Sequence, residues 1–308
     1  MNDSQFTINN QALKSDLLLL LTAIIWGFAF VAQRAGMEYT GPFTFNGIRF
    51  ALGSLSLVPL LYLKIPGRRR IQSAAVWDRI TVSGGLLAGL ALFIAASFQQ
   101  IGIVYTTAGK AGFITGLYVI MVPVLGMFIR QRTKINVWAG AVLAVIGLNL
   151  LSIRENFTID PGDALVLISA IFFAVHILII GNYSSRAGAV RLSIVQFALC
   201  ALLSLIAAVF TEEIRWQPIL DAAVPIIYGG VFSVGIAYTL QVAGQRHAHP
   251  SAASIILSLE SLFAVIGGWL ILGEYLSARG MAGCALMLFG MIVSQLNLRK
   301  AAKLKKTL

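Results

Sequence analysis

The sequence predicts an all-α integral membrane protein, with ten transmembrane helices arranged as two inverted five-helix repeats. Three observations lead to this fold class: an apolar composition, a succession of ten long apolar segments, and an internal similarity between the two halves. Of the 308 residues, 58% are hydrophobic and only 11% are charged. Soluble domains usually contain about 25% charged residues, so this composition excludes an ordinary soluble fold.

Ten segments are long enough to cross a bilayer, whose hydrocarbon core requires roughly 20 mainly apolar residues in a helix. In the first half they are Leu17–Gly36, Phe43–Leu63, Ile80–Gln100, Ala108–Ile129 and Ile135–Ile153. In the second half they are Asp163–Gly181, Leu192–Phe210, Ile219–Gly244, Pro250–Leu272 and Ala278–Asn297. The loops between them are short, so little of the chain is left for a soluble domain.

Short similarities relate the two halves of the chain. The segment Asp16–Ile24 resembles Asp163–Ile171, and Ala139–Leu143 resembles Ala282–Leu286. An aspartate begins both members of the first pair, and aspartate is a good cap for the free N–H groups at a helix start. We therefore expect two structural repeats, each of which begins with a capped helix.

The predicted repeats are residues 1–156 and residues 157–308, with five spans in each. Because five is an odd number, the second repeat must enter the membrane upside down. Inverted repeats around a shared central site are a recurring design of transporters, in which the two halves rock against each other.

The positive charges predict the orientation of the chain, because basic residues concentrate in cytoplasmic loops. With both termini in the cytoplasm, 17 of the 23 Lys and Arg residues lie in cytoplasmic loops or tails, 5 lie outside, and Arg49 lies within a span. The net charge of +11 is therefore a topological signal and requires no nucleic-acid partner. The predicted location is the cytoplasmic (inner) membrane, with the lipid bilayer as the protein's surroundings.

Enzyme signatures are absent from the sequence. Gly109-Lys110-Ala111 lacks the upstream glycine and the following Ser or Thr of a phosphate-binding loop. Gly230–Gly235 misses the spacing of a nucleophile elbow by one residue. Cys200 and Cys284 lie in separate apolar stretches and supply neither a disulfide framework nor metal-ligand spacing. We expect no enzyme activity, no cofactor and no metal.

Two charged residues fall at membrane depth, where a charge needs a partner, a wet cavity or a route to the interface. Arg49 lies about two turns into the second span, and Glu260 lies near the middle of the ninth. One interpretation is a cavity wall that binds the charged ends of a zwitterion. The alternative is structural: an ion pair that locks two helices, or an Arg49 side chain that reaches outward to the interface.

Two further polar residues have open interpretations. His176 lies within the sixth span and could relay protons, because histidine titrates near neutral pH. A packing histidine held by a hydrogen bond is the favoured alternative, since no carboxylate lies near it in the same span. Lys110 lies near the outer end of the fourth span, where it could meet an anionic group or simply extend to the interface.

Aromatic and amide side chains form the other candidate constellation. Tyr and Trp combine an apolar body with one polar group, and Gln offers both donors and acceptors. Together with Arg49, His176 and Glu260, the candidate substrate-binding residues are Trp26, Phe98, Gln99, Tyr118, Tyr238 and Gln241. We expect one central site between the first, third, fourth, eighth and ninth spans. Aromatic residues also populate lipid interfaces, which is the alternative for each ring.

The motifs of the chain resemble those of a known family. They are Ile25-Trp26-Gly27-Phe28, Ala111–Tyr118 and Val122-Pro123 in the first half, and Ala237–Gln241, Leu257–Ser261 and Leu272-Gly273-Glu274 in the second. With them the whole chain resembles the drug/metabolite transporter superfamily, specifically the ten-span EamA-type carriers, and lies nearest the YddG-type aromatic amino-acid exporters. The resemblance implies an inverted-repeat carrier that works by alternating access.

Two positions depart from the family pattern. Ser261 stands where the family often has proline, which weakens the expectation of a kink in the ninth span. Gln131 stands where the first repeat would carry a counterpart of Glu274.

The expected function is secondary transport of small amphipathic metabolites, with export of amino acids, including aromatic ones, as the leading interpretation. The partners are then a small-molecule substrate and the bilayer, and the sequence is compatible with a monomer. A carrier of another small organic metabolite or drug is the nearest alternative. A membrane enzyme acting on lipid-linked substrates would need clustered acids, His or Arg at one membrane face. A sensor would normally carry a soluble output domain, and a channel would not need rocking repeats.

Overall fold

The computed structural model describes residues 3–62, 77–128, 135–152, 160–248 and 250–295, and the regular structure in these ranges is helical. In the first half, α1 is Asp3–Gly36, α2 is Pro42–Leu57, α3 is Arg79–Val104, α4 is Ala108–Phe128 and α5 is Ile135–Ser152. In the second half, α6 is Pro161–Tyr183, α7 is Ala189–Thr211, α8 is Ala223–Gln245, α9 is Pro250–Ser258 with Glu260–Leu272, and α10 is Ala278–Gln295. The all-α prediction is confirmed.

Within the described residues, 8 helices are long and apolar enough to cross a membrane. Two shorter apolar helices, Trp138–Leu150 within α5 and Ala278–Val293 within α10, occupy the places of the fifth and tenth predicted spans. The eighth span begins later than predicted, because Ala222 separates α8 from a short helix at Trp216–Asp221. The boundary expected between residues 156 and 157 and the basic loop at Arg68–Arg70 lie outside the described residues.

Equivalent helices of the two halves pack as antiparallel pairs. Gly47, near the start of α2, lies against Leu205, near the end of α7. Further along α2, the hydroxyl of Ser54 donates a hydrogen bond to the carbonyl of Ile194, near the start of α7 (3.3 Å). The α4–α9 and α5–α10 pairs also join equivalent helices, and the contact of α1 with α8 is matched by that of α6 with α3. This pattern is the packing of two inverted five-helix repeats.

The α5–α10 pair shows why small residues recur in these helices. A Cβ atom at Gly147 would lie 2.7 Å from the carbonyl oxygen of Gly283, and one at Gly290 would lie 2.7 Å from that of Gly140. Only glycine allows the two backbones to approach this closely, as is common where helices pack in lipid. Gly147 and Gly290 are therefore equivalent in space, as their sequence surroundings indicate.

Two helices break at equivalent positions of the two repeats. Leu117 interrupts α4 and Leu259 interrupts α9, and both have φ −62° and ψ −14°. The break in α9 forms although Ser261 replaces the proline that the family often has. A proline is therefore not required for the break. The break places Glu260 at the start of a new helical segment.

The predicted aspartate caps are wrong in both repeats. Helix α1 begins well before Asp16, at Asp3. Helix α6 is capped by Asp160, whose side chain accepts a hydrogen bond from the N–H of Gly162 (3.3 Å). A proline at position 161 suits the first turn of a helix, so α6 starts there and Asp163 falls inside that turn.

Candidate functional site

A small cavity lies between α1, α2, α3, α4, α6, α8 and α9. Its volume is about 30 Å³, which is room for only a few water molecules. The lining residues are Trp26, Ala29, Phe30, Gln33, Arg49, Gln99, Thr115, Tyr118, Phe173, Ser233, Tyr238 and Glu260. Six of the nine residues chosen from the sequence are among them: Trp26, Arg49, Gln99, Tyr118, Tyr238 and Glu260. The cavity also reaches α2, through Arg49, and α6, through Phe173.

Arg49 enters the cavity from α2 and is only 3% exposed. Its Nε donates a hydrogen bond to Oδ1 of Asn46 (2.9 Å), and Nδ2 of Asn46 donates to the carbonyl of Ala96 in α3 (3.0 Å). The guanidinium carbon lies 4.9 Å from the centre of the Phe50 ring and 5.5 Å from that of Phe45, within range of cation–π attraction. Within the described part of the chain, Arg49 has no ion-pair partner.

Glu260 enters the same cavity from the opposite repeat and is 3% exposed. It begins the second segment of α9, directly after the break at Leu259. Tyr118 is its polar neighbour: the two side chains interact, although the Tyr118 hydroxyl and Oε1 of Glu260 do not reach the distance and angles of a full hydrogen bond with any described residue. No described cation pairs with this carboxylate either. The structure therefore shows no ion pair between Arg49 and Glu260.

Aromatic rings form part of the wall of the cavity that contains the two charged groups. The rings of Trp26 and Tyr238 meet edge to face, with centres 4.5 Å apart. The indole N–H of Trp26 donates to the carbonyl of Ser233 in α8 (3.2 Å). This carbonyl lies in a π-helical stretch, Tyr228–Tyr238, whose wider turns are frequent at functional sites.

Three of the predicted site residues do not line the cavity. The ring of Phe98 stacks on Phe172, with centres 6.3 Å apart. His176 is buried behind Tyr238, and its Nε2 forms a hydrogen bond with Oε1 of Gln196 (2.8 Å), which is the packing role favoured from the sequence. Gln241 is 1% exposed and also lies away from the cavity.

The structure adds cavity residues that sequence reasoning missed. Gln33 lies two helical turns after Trp26, and Thr115 lies one turn before Tyr118, so helical spacing could have identified both. Thr115 accepts a hydrogen bond from Nε2 of Gln99 (3.1 Å), which fixes that amide at the cavity wall. Ser233 contributes its backbone carbonyl, for which the sequence contains no signal.

Carboxylates close the end of the bundle where α2 and α4 begin. Lys110 pairs with Asp163, which is 1% exposed (Nζ to Oδ2, 2.5 Å), so it extends neither to a ligand nor freely to the interface. Glu274 accepts hydrogen bonds from the N–H groups of Ala108 (2.8 Å) and Gly109 (3.1 Å) at the start of α4.

Glu212 acts in the same way at the start of α2. It accepts from the N–H of Phe43 (2.7 Å) and from the N–H and hydroxyl of Thr44 (2.8 and 2.7 Å). Each of these two carboxylates belongs to the second repeat and caps a helix of the first, so both link the repeats at this end.

Comparison with known proteins places the chain among transporters. The sequence profile described as "EamA-like transporter family" matches residues 13–153 and 160–295. A protein of Archaeoglobus fulgidus described as an uncharacterized transporter is 32% identical over 286 residues, which is 92% of this chain and 86% of that protein. The uncharacterized transporter YoaV of Bacillus subtilis is 24% identical over 90% of this chain and 94% of its own length.

More distant similarity gives the same result. The uncharacterized inner membrane transporter YedA of Escherichia coli is 22% identical over 88% of this chain and 87% of its own length. One crystal structure matches the fold with a TM-score of 0.70 at 17% identity, covering 92% of this chain and 98% of the other. Because the family profile covers both halves and the Archaeoglobus relative aligns over nearly the whole chain, this multi-pass membrane protein belongs to the EamA-like transporter family.

Proposed function

We propose that the protein is a secondary carrier that exports small amphipathic metabolites, foremost amino acids including aromatic ones, by alternating access. The observation that carries this proposal is the cavity itself: it contains Arg49 and Glu260, two opposite charges from different repeats, without an ion pair between them. A buried charge is costly unless it is compensated. A zwitterionic substrate would compensate both charges at once.

The chemistry of the wall supports a substrate with an apolar body. The guanidinium of Arg49 suits a carboxylate, because its planar set of donors matches the two carboxylate oxygens. Glu260 and Gln99 suit an amino group. The rings of Trp26 and Tyr238 lie beside these groups and offer contact to an aromatic or aliphatic side chain. An acidic amino acid would bring a second negative charge that the wall leaves unpaired.

The small volume of the cavity supports alternating access rather than a fixed pore. An amino acid does not fit into about 30 Å³, so the helices must move apart for a substrate to enter. The breaks at Leu117 and Leu259 and the π-helical stretch of α8 are places where helices that line the cavity can bend. They belong to both repeats, which suits a rocking motion of one half against the other.

Counterflow into proteoliposomes tests the proposal. Vesicles loaded with unlabelled phenylalanine, methionine or threonine should accumulate the labelled amino acid, whereas glutamate should give little flux. Trp26→Ala and Tyr118→Ala should lower the rate or change the selectivity. Trp269→Ala and Tyr275→Ala are matched controls, because these two rings are 55% and 82% exposed.

The outcomes separate the proposal from its alternatives. Absence of amino-acid flux in folded, correctly inserted protein would reject the substrate and leave a carrier of another organic metabolite or drug. Flux that is unaffected by Trp26→Ala and Tyr118→Ala would reject the cavity as the site. Chemical conversion of a lipid-linked compound by the purified protein would favour the enzyme alternative.

A further inference from the structure

A second cavity lies at the opposite end of the bundle from the capping carboxylates, where α3 begins and α6 ends. It is lined by Arg79, Ile80, Ser83, Asn182, Tyr183 and Arg186 and has a volume of about 270 Å³. It is thus much larger than the central cavity. The charge distribution of the loops predicts that this end faces the cytoplasm.

The two arginines of this cavity are available to a ligand. Arg186 is exposed and anchored by Asn182, whose Oδ1 accepts a hydrogen bond from Nη2 (2.9 Å), so part of the guanidinium is held in place. Arg79 is exposed and makes no side-chain hydrogen bond or ion pair within the described residues. Two guanidinium groups that line one concavity have the chemistry to bind a phosphate group, because each presents paired N–H donors to phosphate oxygens.

The start of α3 forms the floor of the second cavity and carries an acidic residue beside it. The ring of Tyr183 packs directly on Gly84, where a Cβ atom would come within 2.5 Å of it, so the two helices are in close contact under the cavity. The exposed Asp78 immediately precedes Arg79 in the sequence and caps α3. The carboxylate of Asp78 accepts a hydrogen bond from the N–H of Thr81 (2.6 Å), and this bond lowers the pKa of the carboxylate. The positive charge of Arg191 also lowers this pKa.

Arginines at the ends of spans are expected from topology alone, but these two share one cavity with a hydroxyl and an amide. The surface of α3 that continues from it into the membrane is apolar. Leu86, Leu87 and Leu90 are 46%, 49% and 48% exposed there, so acyl chains can pack beside a headgroup held at the cavity. Basic pockets between transmembrane helices on the cytoplasmic side are known to bind phosphate-containing headgroups.

We propose that the cavity formed by Arg79, Ser83, Asn182 and Arg186 is a binding site for the phosphate of an anionic phospholipid headgroup. The same chemistry would accept a soluble phosphate. The lipid is the expected source, because the apolar surface of α3 adjoins the cavity. This site is separate from the central cavity and does not depend on the substrate proposed above.

Binding to the purified full-length protein in neutral detergent tests the site. Native mass spectrometry and thermal unfolding would be measured with phosphatidylglycerol, with phosphatidylcholine and with inorganic phosphate. We expect phosphatidylglycerol to raise the unfolding temperature, because a ligand that binds only the folded state stabilises it. Phosphatidylcholine should have a much smaller effect.

The double variant Arg79→Gln/Arg186→Gln should weaken phosphatidylglycerol binding on the order of tenfold or more, since it removes both basic side chains that would attract the anionic headgroup. The exposed Arg246, at the same end but outside the cavity, provides the matched control Arg246→Gln. Equal unfolding temperatures of the variants without lipid would show that the fold is intact.

Unchanged phosphatidylglycerol binding in the double variant, or an equal loss in Arg246→Gln, would overturn the proposal. Inorganic phosphate that binds with the same dependence on the two arginines would support the phosphate site and identify a soluble ligand as its occupant. If the double variant unfolds without lipid, Ser83→Ala and Asn182→Ala provide the test, and unchanged binding in both would likewise reject the site.

Discussion

The position of the Arg49 side chain depends on its neighbour Asn46. Asn46 lies one turn earlier on α2 and is fully buried, and it joins the side chain of Arg49 to the backbone of α3. Without this link, the guanidinium could leave the cavity wall for the interface, since arginine has a long flexible stem. Asn46 is therefore a positioning residue for the charge that we expect to meet the substrate carboxylate.

We expect Arg49→Gln to reduce the transport of phenylalanine about ten- to hundredfold, because hydrogen bonds to charged groups contribute about 1.5–3 kcal/mol. Phenylalanine amide, which lacks the carboxylate, should lose much less. Asn46→Leu should resemble Arg49→Gln but with a weaker effect. Counterflow with both substrates measures the difference, and equal losses for phenylalanine and its amide would contradict the role of Arg49.

Substitution of Glu260 should impair transport without lowering the stability of the protein. Glu260→Gln keeps the shape of the side chain and removes its charge. Because no described cation pairs with Glu260, we expect the unfolding temperature to stay the same or rise, whereas breaking a buried ion pair would lower it. Amino-acid counterflow should fall at least about tenfold. Wild-type transport combined with a lower unfolding temperature would mean that the carboxylate is structural.

At the scale of helices, the capping carboxylates of the second repeat hold the first turns of α2 and α4. A carboxylate at a helix start satisfies N–H groups that have no partner within the helix and interacts favourably with the helix dipole. Glu212 and Glu274 do this from loops that follow α7 and α9, so the caps are also contacts between the repeats. A rocking motion that separates the repeats at this end has to break them.

The neighbouring pair Glu212 and Glu213 allows a controlled test. Glu212→Ala should lower the free energy of unfolding by about 1 kcal/mol, as is typical for loss of a helix cap. Glu213→Ala should have little effect, because the Glu213 side chain is 81% exposed and only pairs with the exposed Arg215. Thermal unfolding in detergent measures both. An equal effect of the two substitutions would show that the cap is not stabilising.

For the whole molecule, the sequence predicted the features that depend on local composition. Ten apolar stretches and the similarity of Ala139–Leu143 to Ala282–Leu286 led to the inverted repeats. The features that depend on how helices rotate against one another were missed. Asn46 could not be recognised, because its partners include a carbonyl of another helix, and the sequence does not distinguish Glu212 from Glu213 as the cap.

The same limit explains why three of the predicted site residues do not line the cavity. Aromatic and amide residues were chosen by depth along their spans, and depth does not reveal which face of a helix turns to the cavity. Phe98 and Gln99 are adjacent in the sequence, yet only Gln99 lines the cavity, since successive residues point about 100° apart around a helix. His176 and Gln241 likewise lie at suitable depths on helix faces that do not line the cavity.

Orientation in the membrane is the property of the whole molecule that the charge distribution predicts. The excess of Lys and Arg on one side predicts that both termini lie in the cytoplasm, with the Ser185 loop inside and the Glu213 loop outside. Cys200 and Cys284 are buried, so the native thiols should give little background labelling. Both can be substituted if that background has to be removed. We expect a membrane-impermeant thiol reagent to label Glu213→Cys in intact cells and Ser185→Cys only after the membrane is opened. Labelling of both variants in opened membranes is the control for their reactivity. Strong labelling of Ser185→Cys in intact cells would contradict the predicted orientation. The end of the bundle where Glu212 and Glu274 cap the helices would then face the cytoplasm.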